Sequence, residues 1–362
     1  MRAGLVIYGS LDTLSGGYLY DRMLVRALRA ADHEVMIFSL PWRSYPARLA
    51  DNWAAAFAAR IASARLDLLL QDELNHPSLF WLNRSLRHTL RCPIVAVVHH
   101  LRSQEDHPPA LLPLYRAVER AYLATVDACI YNSQTTRAAV AALLGYAVPG
   151  VVAYPAADHV QPPSRAEVLT LLARRSASTA SLQVLFVGNV IARKGLHTLV
   201  AALAALPMNH WQLQIVGNTA LDPAYADRVR ALAARKGVAG NLVWHGALDD
   251  AALRRRWCAA DLLAVPSYEG FGIAYLEAMA FGLPVIASSA GAAHEIVTQD
   301  ATGYLVPPGD ERQLAARLGA LARSRAQVAA LGYHARLRYE RHPTWQTSMA
   351  HAVSWLHEIT DR

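Results

Sequence analysis

Short apolar runs alternate with stretches of helical periodicity along the chain, and the same order of elements occurs twice. The first half begins with an apolar run, a glycine-bearing loop and a helical pattern at 5–8, 9–17 and 18–29, and the second half repeats them at 183–187, 188–195 and 196–206. Further apolar runs predict strands at 35–40, 66–70, 94–98, 128–131, 213–216, 242–245, 262–265 and 285–287. Uninterrupted apolar strands alternating with helices are typical of parallel sheets covered on both faces. The pattern therefore predicts an α/β protein with two Rossmann-like domains.

The chain has 362 residues, a length that favours two domains. A polar, proline-containing stretch at 161–164 marks the predicted boundary, which gives a first domain at 1–163 and a second at 164–342. Residues 343–362 form a predicted amphipathic helix. Its apolar positions are Trp345, Met349, Val353 and Leu356. This helix either packs on the second domain or returns to the first, and we expect it to return.

Composition and charge narrow the class of protein and partner. Hydrophobic residues make up 54% of the chain, which argues against disorder, and the net charge of +7 suits phosphate-bearing ligands or anionic membranes. No dense basic run interleaves with aromatic residues, so a nucleic-acid partner is not expected. The three cysteines have no metal-site spacing and predict reduced thiols in a cytoplasmic protein. The apolar runs are too short for a membrane span or a signal peptide.

The segment at 266–286 carries the most informative candidate chemistry. Gly270 and Gly272 follow a predicted strand and allow a ligand to approach the backbone closely. The amides of 271–274 lie at a predicted helix start, which favours anion binding. Glu269 and Glu277 are expected on roughly one helix face, where one carboxylate binds sugar hydroxyls and the other a ribose. Spacing alone is equally explained by one capping and one solvated glutamate.

The preceding strand, the two glycines and the Gly282-Leu283-Pro284 turn occur together around these glutamates. This combination resembles the family 4 glycosyltransferases, whose signature is two glutamates separated by seven residues. The resemblance implies the GT-B fold, in which the parallel sheets of two Rossmann-like domains face a central cleft. It also implies a donor-binding set in this segment: Glu269, Gly270, Phe271, Gly272, Ile273 and Glu277.

The loop at 188–195 resembles the family's donor-phosphate loop. Arg193 and Lys194 place two cations beside a helix start, which suits a diphosphate leaving group. Gly188 and Gly195 bracket the loop, and the chain has only one other lysine, Lys236. The alternative interpretation is an exposed basic turn.

Two features of the first half resemble the acceptor side of the family. Gly16 and Gly17 follow the first strand, as does the family's glycine-rich acceptor loop. His99, at the end of the predicted strand at 94–98, matches the histidine that the family places near the transferred sugar. His100 beside it is an alternative, but the strand-end position favours His99. The resemblance implies catalytic roles for His99, Glu269, Arg193 and Lys194, while Ser133 is predicted to cap a helix.

The resemblance implies a retaining hexosyltransferase that moves a sugar from a UDP- or GDP-sugar to an acceptor hydroxyl, such as that of a lipid or a glycan. No Asp-x-Asp motif occurs in a loop, and Asp249 and Asp250 lie at a predicted helix start. We therefore expect no metal and no cofactor.

Three other functions are compatible with two Rossmann-like domains. A non-catalytic sugar-nucleotide-binding protein and a sugar-nucleotide epimerase remain open alternatives. An oxidoreductase is disfavoured because the loop after the first strand lacks the G-x-G-x-x-G pattern.

Two segments of the first half, at 80–91 and 111–120, mix leucine and aromatic residues with arginine at helical spacing. Such helices can lie at an anionic membrane surface, here the inner face of the cytoplasmic membrane. The alternative is that their apolar faces are buried in the domain core.

Overall fold

Two six-stranded parallel sheets form the cores of two domains in the computed structural model, which describes residues 1–361. The first domain comprises 1–155 together with the chain from Pro343 onward, and the second comprises 156–342. The alternating strand–helix order produces one such sheet in each half, so the predicted fold class of two Rossmann-like α/β domains is confirmed.

The sheet of the first domain has the strand order β2-β1-β3-β4-β5-β6, and every pair of neighbours is parallel. Its strands are β1 (Arg2–Tyr8), β2 (Glu34–Leu40), β3 (Leu68–Asp72), β4 (Ile94–Val98), β5 (Ala128–Tyr131) and β6 (Gly150–Val152). Its helices are α1 (Gly16–Ala30), α2 (Tyr45–Ala50), α3 (Ala55–Ser63), α4 (His76–Leu79), α5 (Leu82–Leu86), α6 (Leu112–Leu123), α7 (Gln134–Leu144) and α15 (Trp345–Thr360).

The sheet of the second domain has the order β12-β11-β10-β7-β8-β9 and is also parallel throughout. Its strands are β7 (Leu182–Val187), β8 (Trp211–Val216), β9 (Leu242–Gly246), β10 (Leu262–Val265), β11 (Val285–Ser288) and β12 (Gly303–Val306). Its helices are α8 (Arg165–Ala177), α9 (Leu196–Leu203), α10 (Pro223–Arg235), α11 (Asp250–Ala259), α12 (Ile273–Ala280), α13 (Glu311–Arg323) and α14 (Arg325–Glu340).

The predicted strand at 66–70 is wrong by two residues, because β3 runs from Leu68 to Asp72. The predicted strand ended before Gln71 because the apolar run ends there. Gln71 and Asp72 are nevertheless buried, although both are polar. Gln71 makes two hydrogen bonds with the buried Asn83, which satisfies its amide inside the domain. Strand β3 therefore carries a carboxylate, Asp72, to the carboxyl end of the sheet.

The first domain ends at Pro155 rather than at the predicted residue 163. The intervening segment belongs to the second domain because it is bonded there: His159 pairs with Glu277, and the carbonyl of Pro163 accepts a 3.0 Å hydrogen bond from Arg336. The prediction placed the domain boundary at the polar stretch because the composition changes there. The contacts made by this stretch assign it to the second domain.

The last helix, α15, packs on α1 in the first domain. Trp345 meets the ring of Tyr20 edge-on at 5.8 Å, and the Nε2 atoms of His357 and His33 lie 2.8 Å apart. The predicted apolar face of α15 is buried in this arrangement. None of the helices within residues 1–361 combines the length and the apolar character that crossing a bilayer requires.

The predicted helix at 80–91 is wrong. Only Leu82–Leu86 is α-helical there. Leu82, Leu86 and Leu90 are buried in the domain core, whereas Trp81 is 47% exposed. The segment at 111–120 differs, because Leu111 and Leu114 are exposed.

Candidate active site

Glycines allow two loops of the second domain to lie against each other. The first loop leaves β7 at Gly188, forms a 3-10 turn at Ala192–Lys194 and enters α9 through Gly195, which has φ +68°. A Cβ atom on Gly195 would come within 2.8 Å of the carbonyl oxygen of Pro266, at the start of the loop after β10. The local turn thus brings the basic loop beside the loop that carries Glu269.

Arg193, Lys194 and Glu269 form an ion cluster across these two loops. The Lys194 ammonium is paired with the Glu269 carboxylate, and the Ser267 hydroxyl donates to the same carboxylate oxygen. Arg193 donates a 3.0 Å hydrogen bond to the carbonyl of Tyr268. Burial alone raises the pKa of Glu269, but the charges of Lys194 and Arg193 outweigh it and lower the pKa to about 2. Glu269 is therefore a permanent anion at neutral pH.

The two signature glutamates do not share a helix face, which corrects the prediction. Helix α12 begins at Ile273, directly after Gly272 with φ +98°, so that Glu269 lies in the loop before the helix. Glu277 lies in the helix and pairs with His159, with 3.0 Å between Oε1 and Nε2. The loop geometry, which helical spacing does not describe, directs the two carboxylates to different partners.

In the first domain, the two predicted acceptor-side glycines open helix α1 instead of lying in the preceding loop. Ser15 caps this helix by accepting a 3.3 Å hydrogen bond from the Tyr18 amide. A Cβ atom on Gly17 would come within 3.3 Å of the imidazole of His99. The fold therefore brings Gly16, Gly17 and His99 together, as a shared acceptor-side role requires.

His99 and His100 face different groups after strand β4. His99 Nε2 lies 3.4 Å from Oδ1 of Asp21, a buried residue of α1. His100 Nε2 instead lies 2.8 Å from the Glu105 carboxylate. This separation supports the assignment of His99, and not His100, to the group around Gly17.

Capping geometry accounts for two other predicted positions. Ser133 accepts a 3.0 Å hydrogen bond from the amide of Thr136 at the start of α7, which confirms its capping role. Asp249 caps α11 in the same way, through a 2.7 Å bond from Ala252. The carboxylate of Asp249 is thus used to begin a helix.

Comparison with known proteins assigns the chain to a family. A model described as glycosyl transferases group 1 matches residues 173–338, and a model described as glycosyltransferase family 4 matches residues 20–161. The chain belongs to the group 1 glycosyltransferases of family 4.

Two curated relatives illustrate this family 4 membership. The chain is 35% identical to a D-inositol 3-phosphate glycosyltransferase of Xylanimonas cellulosilytica over 49% of this chain and 43% of the relative. It is 29% identical to a GDP-mannose-dependent alpha-(1-6)-phosphatidylinositol monomannoside mannosyltransferase of Mycobacterium tuberculosis over 68% of this chain and 66% of the relative. The chain thus spans less than two thirds of the length of either relative.

A sucrose-phosphate synthase from Thermosynechococcus elongatus has the same fold, with a TM-score of 0.85, 24% identity and 99% of each chain covered. This likeness confirms the GT-B class that the family 4 resemblance implied.

Sequence reasoning missed three residues that contact the predicted positions of this family 4 chain. His159 pairs with Glu277, and Asp21 and Asp72 face His99. Asp21 follows the Gly16-Gly17 pair by about one helical turn, a spacing that directs it to the same side of α1. That spacing was the available signal, whereas His159 and Asp72 had none in the sequence.

Sequence reasoning also missed a second buried acidic group, next to Asp72. Glu73 and Glu119 flank His76, whose Nδ1 lies 3.0 Å from both the carbonyl and the carboxylate of Glu73. Burial raises the pKa of Glu73 and of Glu119 to about 7 and lowers the pKa of His76 to about 4. These groups favour their neutral forms because burial opposes charge.

Proposed function

We propose that this chain is a retaining, metal-independent hexosyltransferase that moves a sugar from a UDP- or GDP-sugar to an acceptor hydroxyl. The observation that carries the proposal is the cluster of Arg193, Lys194 and Glu269 where two loops of the second domain meet. It combines two cations suited to a diphosphate with an anion suited to sugar hydroxyls.

Each part of the donor has a matching group in the second domain. Arg193 and Lys194 bind the diphosphate, Glu269 accepts hydrogen bonds from sugar hydroxyls, and Glu277 holds the ribose. Without a donor, Lys194 and Glu269 neutralise each other. A diphosphate carries more charge than one carboxylate, so it competes effectively for Lys194. The two loops allow close backbone approach at their glycines, Gly188 after β7 and Gly270 and Gly272 after β10, and the second loop also contains Phe271 and leads into Ile273.

The transfer step follows from the charge of these groups. As the bond between the anomeric carbon and the phosphate oxygen breaks, Arg193 and Lys194 stabilise the charge that develops on the diphosphate. The acceptor oxygen forms its bond on the same face of the sugar and gives its proton to the leaving phosphate. The low pKa of Glu269 keeps this carboxylate ionised and unsuited to donate a proton.

The acceptor binds in the first domain beside Gly16, Gly17 and His99. A lipid acceptor is supported by the name of the mycobacterial relative, which describes a phosphatidylinositol monomannoside as its acceptor. Leu111 and Leu114 are 39% and 44% exposed, in a segment that also carries exposed arginines. We place the enzyme in the cytoplasm, with peripheral contact between this segment and the inner face of an anionic membrane.

The test is transfer itself, in excess chelator. UDP- and GDP-sugars are incubated with a pool of lipid and glycan acceptors in EDTA, and products are identified by mass. We expect a glycosylated product in EDTA, since two side-chain cations meet the diphosphate charge. NMR of that product should show the anomeric configuration of the donor. Loss of transfer in EDTA that a divalent metal restores would contradict metal independence.

The same incubation separates the alternative functions. A sugar-nucleotide epimerase would convert the donor with water alone present, and a non-catalytic binding protein would be stabilised by the nucleotide sugar without forming product. Either outcome would replace the transferase proposal.

A further inference from the structure

His99 lies in a pocket of carboxylates that its proposed role does not explain. Its Nε2 is 3.4 Å from Asp21 Oδ1 and 4.0 Å from Asp72 Oδ1. The Asp21 side chain is 0% exposed, and within residues 1–361 neither of its oxygens has a hydrogen-bond partner. A buried carboxylate without a donor is costly, so a positively charged donor is needed beside it.

The imidazole of His99 can supply that donor. The groups that face it are Asp21 and Tyr20 from α1 and Asp72 and Glu73 from the end of β3. Tyr20 packs edge-on against the ring at 5.2 Å. Burial lowers the pKa of His99, but the three carboxylates outweigh burial and raise the pKa to about 9. A proton on Nε2 converts the 3.4 Å approach to Asp21 into a charge-assisted contact.

One edge of the His99 ring faces both Asp21 and Gly17. Nε2 is buried and lies 3.4 Å from Asp21 Oδ1, and a Cβ atom on Gly17 would come within 3.3 Å of Cδ2 and 3.5 Å of Nε2. The backbone is also held, because the His99 carbonyl accepts a 2.7 Å hydrogen bond from Asn132. The ring is therefore fixed beside Gly17, where the acceptor-side ligand is proposed to bind.

We propose that Asp21 is a positioning residue that, with Asp72 as a second carboxylate, keeps a proton on Nε2 of His99 and so presents a cationic imidazole to the acceptor-side ligand beside Gly17. This inference rests on the proposed function. It adds that His99 donates a hydrogen bond and removes no proton, because an imidazole protonated at both nitrogens has no lone pair for a base. The acceptor's proton then goes to the leaving phosphate.

The first test is spectroscopic and needs no substrate. Nitrogen-15 NMR of the histidine side chains distinguishes cationic from neutral rings, and the His99 signal is assigned by its loss in His99→Gln. We expect a cationic ring at pH 7.5 that titrates near pH 9 in the wild type. In Asp21→Asn, which keeps the shape of the side chain, the titration should move down to about the ordinary histidine pKa of 6.5.

Matched variants keep this spectroscopic test decisive. Asp72→Asn removes the more distant carboxylate and should lower the His99 pKa by a smaller amount. This variant provides the test if Asp21→Asn does not fold. Asp106→Asn removes an exposed carboxylate of the same domain and should change nothing.

The second test is the pH profile of transfer. If the pKa of His99 falls from about 9 to about 6.5, the cationic fraction at pH 8 falls by about thirtyfold. We expect kcat/KM of Asp21→Asn to fall by that factor at pH 8 and to recover as the pH is lowered, whereas a merely structural loss would not recover.

Three results would overturn the inference. They are a neutral His99 ring in the wild type at pH 7.5, an unchanged titration in Asp21→Asn, and stoichiometric Zn²⁺ binding by the wild type that Asp21→Asn abolishes. Failure to find any transfer would remove the proposed function but would leave the spectroscopic result intact, so the two failures are distinguishable.

Discussion

Two buried carboxylates, one in each domain, have pKa values that are shifted in opposite directions. In the second domain the pKa of Glu269 is lowered to about 2, and in the first domain the pKa of Asp72 is raised to about 7. The difference lies in the ratio of charges. Glu269 has two cations beside it, whereas Asp72 shares one imidazole with Asp21 and has Glu73 nearby as well. One site therefore holds two cations around one carboxylate, and the other holds several carboxylates around one histidine.

In the proposed mechanism this contrast also separates what each region contributes to catalysis. Lys194 and Glu269 would exchange partners when a charged donor binds. The Asp21–His99–Asp72 group is buried, and we propose that it fixes the charge and orientation of one ring. Four experiments test this comparison.

The largest effect is expected from removing Lys194, one of the two cations of the ion cluster in the second domain. Lys194→Ala should lower turnover by about a hundredfold, because it removes one charge-stabilising donor from the leaving diphosphate. Lys236→Ala is the matched control, since Lys236 is the chain's other lysine and is exposed. Steady-state kinetics of both variants measure the effect. Turnover within twofold of the wild type in Lys194→Ala would remove Lys194 from the mechanism.

The next effect concerns the two glutamates of the second domain. Glu277→Ala should weaken binding of UDP or GDP by about tenfold, the loss expected when a charged hydrogen-bond partner of the ribose is removed. Glu269→Ala should spare that binding, because it leaves Lys194 to the diphosphate, and should damage transfer instead. Calorimetry with the free nucleoside diphosphate compares them. Equal weakening in both variants would show that the division of roles is mistaken.

A smaller effect concerns stability against pH in the first domain. The pKa of Asp72, Glu73 and Glu119 is raised on folding to about 7, so the folded state binds more protons and loses stability as the pH rises from about 4 through 7. The lowered pKa of His76 acts in the opposite direction below about pH 6.5, but three raised carboxyl pKa values outweigh this one histidine. The melting temperature should therefore fall between pH 5 and pH 8. In Glu119→Gln the fall should shrink by about 3 °C, and in the exposed control Glu358→Gln it should not.

Glu269 makes the opposite contribution in the second domain. Its pKa is lowered, so its share of stability is present above about pH 4.5 and is lost only as the pH falls towards 2. The titration of Glu269 therefore does not change the melting temperature between pH 5 and pH 8. A melting temperature that rises over that interval would contradict the assignment of raised pKa values to the first domain.

The smallest effect is expected at the membrane. The double variant L111S/L114S should sediment severalfold less with anionic vesicles at low salt, because it removes exposed apolar contacts from an arginine-bearing segment. Leu169→Ser is the control, since Leu169 is 48% exposed but lies in the second domain. Neutral vesicles and high salt should abolish the difference. Equal sedimentation with anionic and neutral vesicles would exclude this contact and favour a soluble acceptor.

Most of the fold could be predicted from the order and polarity of the residues. Strands β4, β5 and β10 have the predicted bounds, because a parallel strand buried on both faces requires an uninterrupted apolar run. The prediction did not include β6 and β12, which have three and four residues. Such short apolar runs cannot be distinguished from apolar turns in the sequence. They are strands because they form hydrogen-bonded pairs with β5 and β11.

The glycines, basic residues and glutamates of the site could also be recognised from their spacing in the sequence. Which residues they contact depends on the tertiary structure. Lys194 and Glu269 are 75 residues apart, and they meet because β7 and β10 are neighbours whose carboxyl ends carry the two loops. Asp21 and Asp72 face His99 because α1 and the ends of β3 and β4 converge at one edge of the other sheet. Local periodicity records which face of an element is buried, but the charge that a buried group carries depends on neighbours that the chain supplies from distant positions.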